Sequence, residues 1–217
     1  MDRPLSESPD TLSLARNLPR REETPGRRLL WLGILFEAGL GLLAFGVSWL
    51  FNEPIWRQVH CSTRDVALGI LISVPMLLAF GVCVRWPIGP LARIKQFADE
   101  VVRPMFAPYA VWELALLSLA AGAGEELLFR GTVQAALAGW LGPHAGLALA
   151  SILFGLMHPM TWAYAVLASV MGAYLGWAWI TTGNLLVVIV AHAFYDCIAL
   201  VFITRLRVSS FGGQPDR

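Results

Sequence analysis

The sequence predicts an all-α fold, a polytopic transmembrane helical bundle of about six to seven hydrophobic helices, and three observations carry that expectation. Hydrophobic residues fill 57% of the 217 positions and charged residues 14%, against roughly 45–50% and about 25% in soluble domains, and the mean hydropathy is +0.62. Apolar runs recur along the chain, and about 20 such residues cross a hydrocarbon core roughly 30 Å thick. No strand-like alternation breaks these runs. A soluble globule is excluded. The net charge of +1, with no basic tract between the apolar runs, leaves no nucleic-acid groove. Cys61, Cys83 and Cys197 are odd in number and form no CxxC pair, so they read as free packing thiols.

The elements follow in order. Residues 1–28 carry Arg3, Arg16, Arg20, Arg21, Arg27 and Arg28 among Pro, Ser and acidic residues, a composition that buries little and reads as a flexible cytoplasmic tail. The run 29–51 is too long for a signal-peptide core and lacks a small-x-small cleavage site, so it reads as a retained signal anchor. Residues 66–86 make a second span that tolerates Pro75. Residues 87–108 read as a polar connection, completing an N-terminal unit, 29–108, of two transmembrane helices and a loop.

The unit 109–204 is the expected helical core. Its first apolar stretch starts at Tyr109, meets Gly122 and Gly124 and continues from Glu125 to Leu141, as one bent helix or two abutting ones. Gly142-Pro143 breaks it, 145–158 stops at Pro159, and 161–182 stops at Gly183-Asn184. The last run is 185–203, followed by a short tail at 205–217. Positive residues in the N-terminal tail and at Arg93, Lys95 and Arg103 outnumber Arg57 and Arg64, which sets the N-terminus in the cytoplasm. Arg205 and Arg207 place the C-terminus on the same side, so an even number of crossings must follow residue 108. Either 109–141 crosses once or 145–158 is re-entrant. Trp49, Trp56, Trp86, Trp177 and Trp179 are candidate interface anchors, and a bacterial cytoplasmic membrane is the expected location.

Between Arg103 and Arg205 the charged residues are Glu113, Glu125, Glu126, Arg130 and Asp196, and the histidines are His144, His158 and His192. A charge at mid-bilayer costs roughly 2.5 to 3.5 kcal/mol, so clusters inside spans are expected to face one another in one polar site. On a helix Glu126 and Arg130 stand at i,i+4, the favourable order for an ion pair, while Glu125 is turned about 100° away and left free. The plain alternative is that both glutamates sit at a membrane-water boundary. Phe154 and His158 share a face ahead of Pro159, although a lone His at a helix end is more often a cap than a catalyst. His192 and Asp196 repeat the i,i+4 spacing in the middle of the most apolar run, where both need partners. That pair could equally lock two helices together. A carboxylate, an unpaired His and a His-Asp pair together suffice to activate water and stabilise an oxyanion. HExxH and GxSxG are absent.

The motifs EExxxR at 125–130, FxxxH at 154–158 and HxxxD at 192–196, in this order on adjoining apolar helices, resemble the CAAX proteases and bacteriocin-processing enzymes. The resemblance spans roughly 114–201 and implies an intramembrane glutamic endopeptidase. It implies that Glu125 and His158 activate the attacking water, that His192 and Asp196 bind the oxyanion, and that no metal or other cofactor takes part. Glu126 and Arg130 would support the site from the first helix, as would Phe154. Gly131, Gly172 and Gly176 look like the family's close-packing positions. Asp196 departs from the Asn of well-studied eukaryotic members, and an ionised carboxylate cannot donate to an oxyanion. Either burial keeps Asp196 protonated, or it pairs with a protonated His192 that alone donates.

The expected partners are a peptide or protein substrate at the membrane and the lipid bilayer, with no nucleic acid. The rival from another class is a non-enzymatic membrane adaptor or immunity protein using the same cluster structurally. A transporter lacks the paired broken helices it would need. A zinc enzyme with Glu125, His158 and His192 as ligands is chemically reasonable and would be sensitive to chelators. Glu37 and Glu113 have no assigned role: either is a helix-packing carboxylate near an interface, or Glu113 lines a cavity entrance.

Overall fold

The structure is a computed structural model that describes residues 25–50 and 54–206. The tail up to residue 24, Phe51 and the C-terminal tail from Arg207 lie outside the described residues. Every regular element among the described residues is helical. The chain forms α1 (Pro25–Leu50), a 3-10 turn (Ile55–Gln58), α2 (Thr63–Arg85), α3 (Pro90–Phe106), α4 (Val111–Leu141), α5 (Pro143–Leu156), α6 (Trp162–Thr182) and α7 (Leu185–Arg205). α1, α2, α6 and α7 are each long and apolar enough to cross a membrane, and α3 with α4 passes the same test as a pair.

Local chemistry explains the boundaries. Ser62 Oγ accepts the N–H of Asp65 ahead of α2, and Thr161 Oγ1 accepts the N–H of Tyr164 ahead of α6. Asn184 Oδ1 accepts from Leu186 at the start of α7, and the same side chain exchanges two hydrogen bonds with the backbone of His60. The turn before it uses Gly183 at φ +63°, where a side chain would be strained. α2 runs through Pro75, and Tyr174 of α6 donates to the Ile72 carbonyl beside that loosened turn, at 2.9 Å.

Residues 87–108 are not a plain connection. They fold as α3, which starts on Gly89-Pro90 and carries the i,i+4 pairs Lys95–Asp99 and Gln96–Glu100 on its wet face. The sharp bend, 115°, lies between α3 and α4, so 109–141 is one helix and not two abutting ones. At that bend Arg205 donates to the carbonyls of Ala107 and Tyr109, and Arg27 Nε lies 3.7 Å from Glu113. The start of α1, the start of α4 and the end of α7 therefore share one end of the bundle. Glu113 is a helix-packing carboxylate at that end: it accepts the N–H of Ala110 at 2.8 Å and does not line the cavity.

The bundle is apolar outside and polar within. Leu32, Leu35, Phe36, Leu42, Leu71, Leu78, Val166 and Val170 are exposed, whereas Glu126, Arg130, Gln134 and His192 are buried. That is the arrangement a lipid solvent favours, since charges in hydrocarbon need protein partners. Trp49, Trp56, Trp86 and Trp177 are exposed as interface anchors should be, but Trp179 packs against the core.

Candidate active site

α4 is wedged between α1 and α7, and its glycines make this possible. A Cβ on Gly124 would strike the carbonyl oxygen of Glu37, and one on Gly122 would lie 2.8 Å from the backbone nitrogen of Ala193. These residues are contact points, not helix breakers. They hold Glu125 and Glu126 against the turn of α7 that carries His192.

α4 then widens into a π-helical turn, Phe129–Gln134, a local feature common beside functional sites. From this turn Arg130 Nη2 donates to the Gly172 carbonyl at 3.1 Å, and Gln134 Nε2 donates to the Gly176 carbonyl at 3.2 Å. The two glycines leave room for those side chains: a Cβ on Gly176 would overlap the Gln134 amide, and one on Gly172 would sit 3.4 Å from Arg130. Gly131 does the same for Ile55 and Leu185. Arg130 Nη1 lies 2.7 Å from Glu126 Oε1, and its guanidinium stacks 4.5 Å over the Phe154 ring. The i,i+4 pair read from the sequence is present.

A further contact of this network crosses from α4 to α7. His192 Nδ1 lies 2.7 Å from Glu126 Oε1. A carboxylate oxygen already accepting from arginine accepts again, so Nδ1 is the donor and Nε2 is the nitrogen left for chemistry. His158 is oriented likewise: its Nδ1 is 2.7 Å from the Phe154 carbonyl, which only accepts, so Nε2 points into the site. Its ring packs 4.6 Å from that of Phe154.

Glu125 stands between the two imidazoles. Oε1 is 3.8 Å from His158 Nε2 and Oε2 is 3.9 Å from His192 Nε2, and neither oxygen accepts a hydrogen bond among the described residues. Asp196 Oδ2 is 3.4 Å from His192 Nε2. Glu125, His158, His192 and Asp196 line one cavity of about 70 Å³, together with Phe154, Met76, Tyr164 and Tyr195. An apolar groove of about 270 Å³ between α2, α3 and α7 adjoins it.

All four predicted reactive positions thus converge, and Glu126, Arg130 and Phe154 stand behind them. Gln134 escaped the sequence reading, although its spacing from Arg130 repeats that of Arg130 from Glu126. Tyr164 and Tyr195 carry no charge and gave no signal. Glu37 packs α1 against α4: its carbonyl meets Gly124, the residue before Glu125, and its side-chain Oε2 is buried without a hydrogen-bond partner among the described residues. No group of three His, Cys, Asp or Glu side chains among the described residues converges as a metal-ligand set.

The fold and this centre define a helical integral membrane protein with a carboxylate-histidine cluster enclosed by its helices. Residues 107–198 match the profile of the family described as type II CAAX prenyl endopeptidase Rce1-like, which bears out the family read from the three motifs. The match starts at the α3–α4 bend and contains every predicted site residue, while α1 to α3 lie outside it. The chain is also 27% identical over 138 residues to the Uncharacterized protein YpbD of Bacillus subtilis (strain 168), covering 62% of this chain and 67% of that protein. No solved structure matches the chain. The family supports an intramembrane protease, with a peptide substrate in a lipid bilayer.

Proposed function

We propose that the protein is a metal-independent glutamic endopeptidase that hydrolyses a peptide bond of a membrane-associated or C-terminally processed substrate. The observation that carries this reading is Glu125, partly buried and with Oε2 buried and unbonded among the described residues, with an imidazole Nε2 3.8 Å from one oxygen and 3.9 Å from the other. A water molecule seated between Glu125 Oε1 and His158 Nε2 gives up a proton to the carboxylate as its oxygen attacks the scissile carbonyl. His192, with Nδ1 already donating to Glu126, offers Nε2–H to the oxyanion only as imidazolium. The carboxylates of Glu126 and Asp196 flank that cation. When the C–N bond breaks, the proton held by Glu125 passes to the leaving amine. The end of the bundle holding Arg27, Arg28, Arg93, Lys95, Arg103 and Arg205 faces the cytoplasm, by the positive-inside rule.

The test compares membrane-peptide termini in cells making the wild type or Glu125→Gln, at equal accumulation. Gln keeps the size and removes the base. New termini only with the wild type, persisting when a chelator is added to isolated membranes, establish the reaction and identify the substrate. Identical termini and a wild-type phenotype for the variant would favour the adaptor or immunity reading.

A further inference from the structure

Asp196 leaves the oxyanion short of donors. Around the cavity His158 Nδ1 is spent on the Phe154 carbonyl and His192 Nδ1 on Glu126, and Asp196 is turned toward His192 Nε2. Beyond Nε2–H of a His192 imidazolium, the remaining side-chain donors on the cavity wall are phenolic. Tyr164, Leu167, Tyr195 and Asp196 line both the site cavity and the apolar groove, so they stand where a substrate lying in the groove would enter the site.

Of the two phenols, Tyr164 is the better placed. Its ring centroid is 6.0 Å from that of His158, and it shares the wall of the site cavity with Glu125 and Asp196. Tyr195 is turned edge-on to Phe80 on the groove side. Tyr164 is also firmly set: it lies in the first turn of α6, its N–H capped by Thr161 Oγ1 at 3.0 Å. Its O–H makes no hydrogen bond among the described residues and is free to donate.

Resting on the glutamic endopeptidase reading, we propose that Tyr164 is a catalytic residue whose phenolic O–H donates to the tetrahedral oxyanion, the task that a side-chain amide at position 196 would perform. No proton needs to leave the phenol. The hydrogen bond strengthens as the carbonyl oxygen gains charge and weakens as the C–N bond breaks.

The experiment is a double-mutant cycle of Tyr164→Phe and Asp196→Asn in proteoliposomes, on the membrane peptide found by the Glu125→Gln comparison. Tyr164→Phe is expected to lower kcat about 100-fold, the scale of one oxyanion donor, with KM nearly unchanged. In the Asp196→Asn background, where the amide supplies a donor, the same substitution should cost less than about tenfold. A Tyr164→Phe enzyme with wild-type kcat overturns the proposal, and so does an equal loss in both backgrounds, which marks a structural role. If Asp196→Asn alone is inactive, the kcat-against-KM split of Tyr164→Phe decides. Identical membrane-peptide termini with the wild type and Glu125→Gln would overturn the endopeptidase reading itself, a different result from wild-type activity of Tyr164→Phe.

Discussion

Glu126 and Glu125 are neighbours on α4, and the helix turns them into opposite surroundings. Glu126 Oε1 takes charge-assisted bonds from Arg130 and His192, both at 2.7 Å, in a layer tied to α6 through the carbonyls of Gly172 and Gly176. Glu125 takes no such bond and faces the cavity with His158, His192 and Asp196. The difference teaches how a bundle in lipid keeps one carboxylate reactive: the adjacent carboxylate holds the helices in register through Oε1, while its Oε2 is left without a hydrogen-bond partner among the described residues. His192 joins the layers, with Nδ1 in one and Nε2 in the other.

The comparison yields predictions in descending size. Glu125→Gln should lower cleavage by about 10³-fold or more, within the range for loss of a general base, with unchanged thermal unfolding in detergent. A large loss of stability in that variant would break the division between the layers. Arg130→Met should do the reverse first: it strands a buried Glu126 and should destabilise by about 3–5 kcal/mol, the usual result of removing one partner of a buried pair, read as a lower unfolding midpoint. Asp196→Asn should retain cleavage within about tenfold, since the amide adds an oxyanion donor as the carboxylate beside His192 is lost. A loss of about 100-fold would show that His192 needs that carboxylate to donate. Gly172→Ala is expected to be mildest: its Cβ would meet Phe154 at 3.2 Å and Arg130 at 3.4 Å, an overpacking of about 1 kcal/mol, visible in the midpoint and hardly in kcat.

Much of the bundle was legible because the bilayer imposes long apolar runs, and Pro and Gly mark their ends. The cluster was legible for a related reason. Charges in such runs are costly enough to be few, and the i,i+4 spacing of Glu126 and Arg130 shows on one helix. The contacts that cross helices were not: His192 reads as a partner for Asp196, yet its short bond is to Glu126, 66 positions away in the chain. Gly122 and Gly124 read as the place of a bend or a junction because a glycine in isolation weakens a helix. In the bundle the missing Cβ admits a neighbouring backbone, which offsets that weakness. α3 was missed because a polar stretch holds a helix through its own i,i+4 pairs without needing an apolar run.

The amino-acid order alone determined that the chain is a membrane-embedded helical bundle, which few residues carry charge inside it, and which pairs share a helical face. These follow from transfer free energy and helical geometry, both local in sequence. Only the tertiary structure decided that Glu126 and not Glu125 takes His192, that Glu37 packs against Gly124, and that Tyr164 stands at the junction of cavity and groove. Each depends on how close two helices approach, which is set by the side chains absent at Gly122, Gly124, Gly172 and Gly176 and shows only when the helices are packed together.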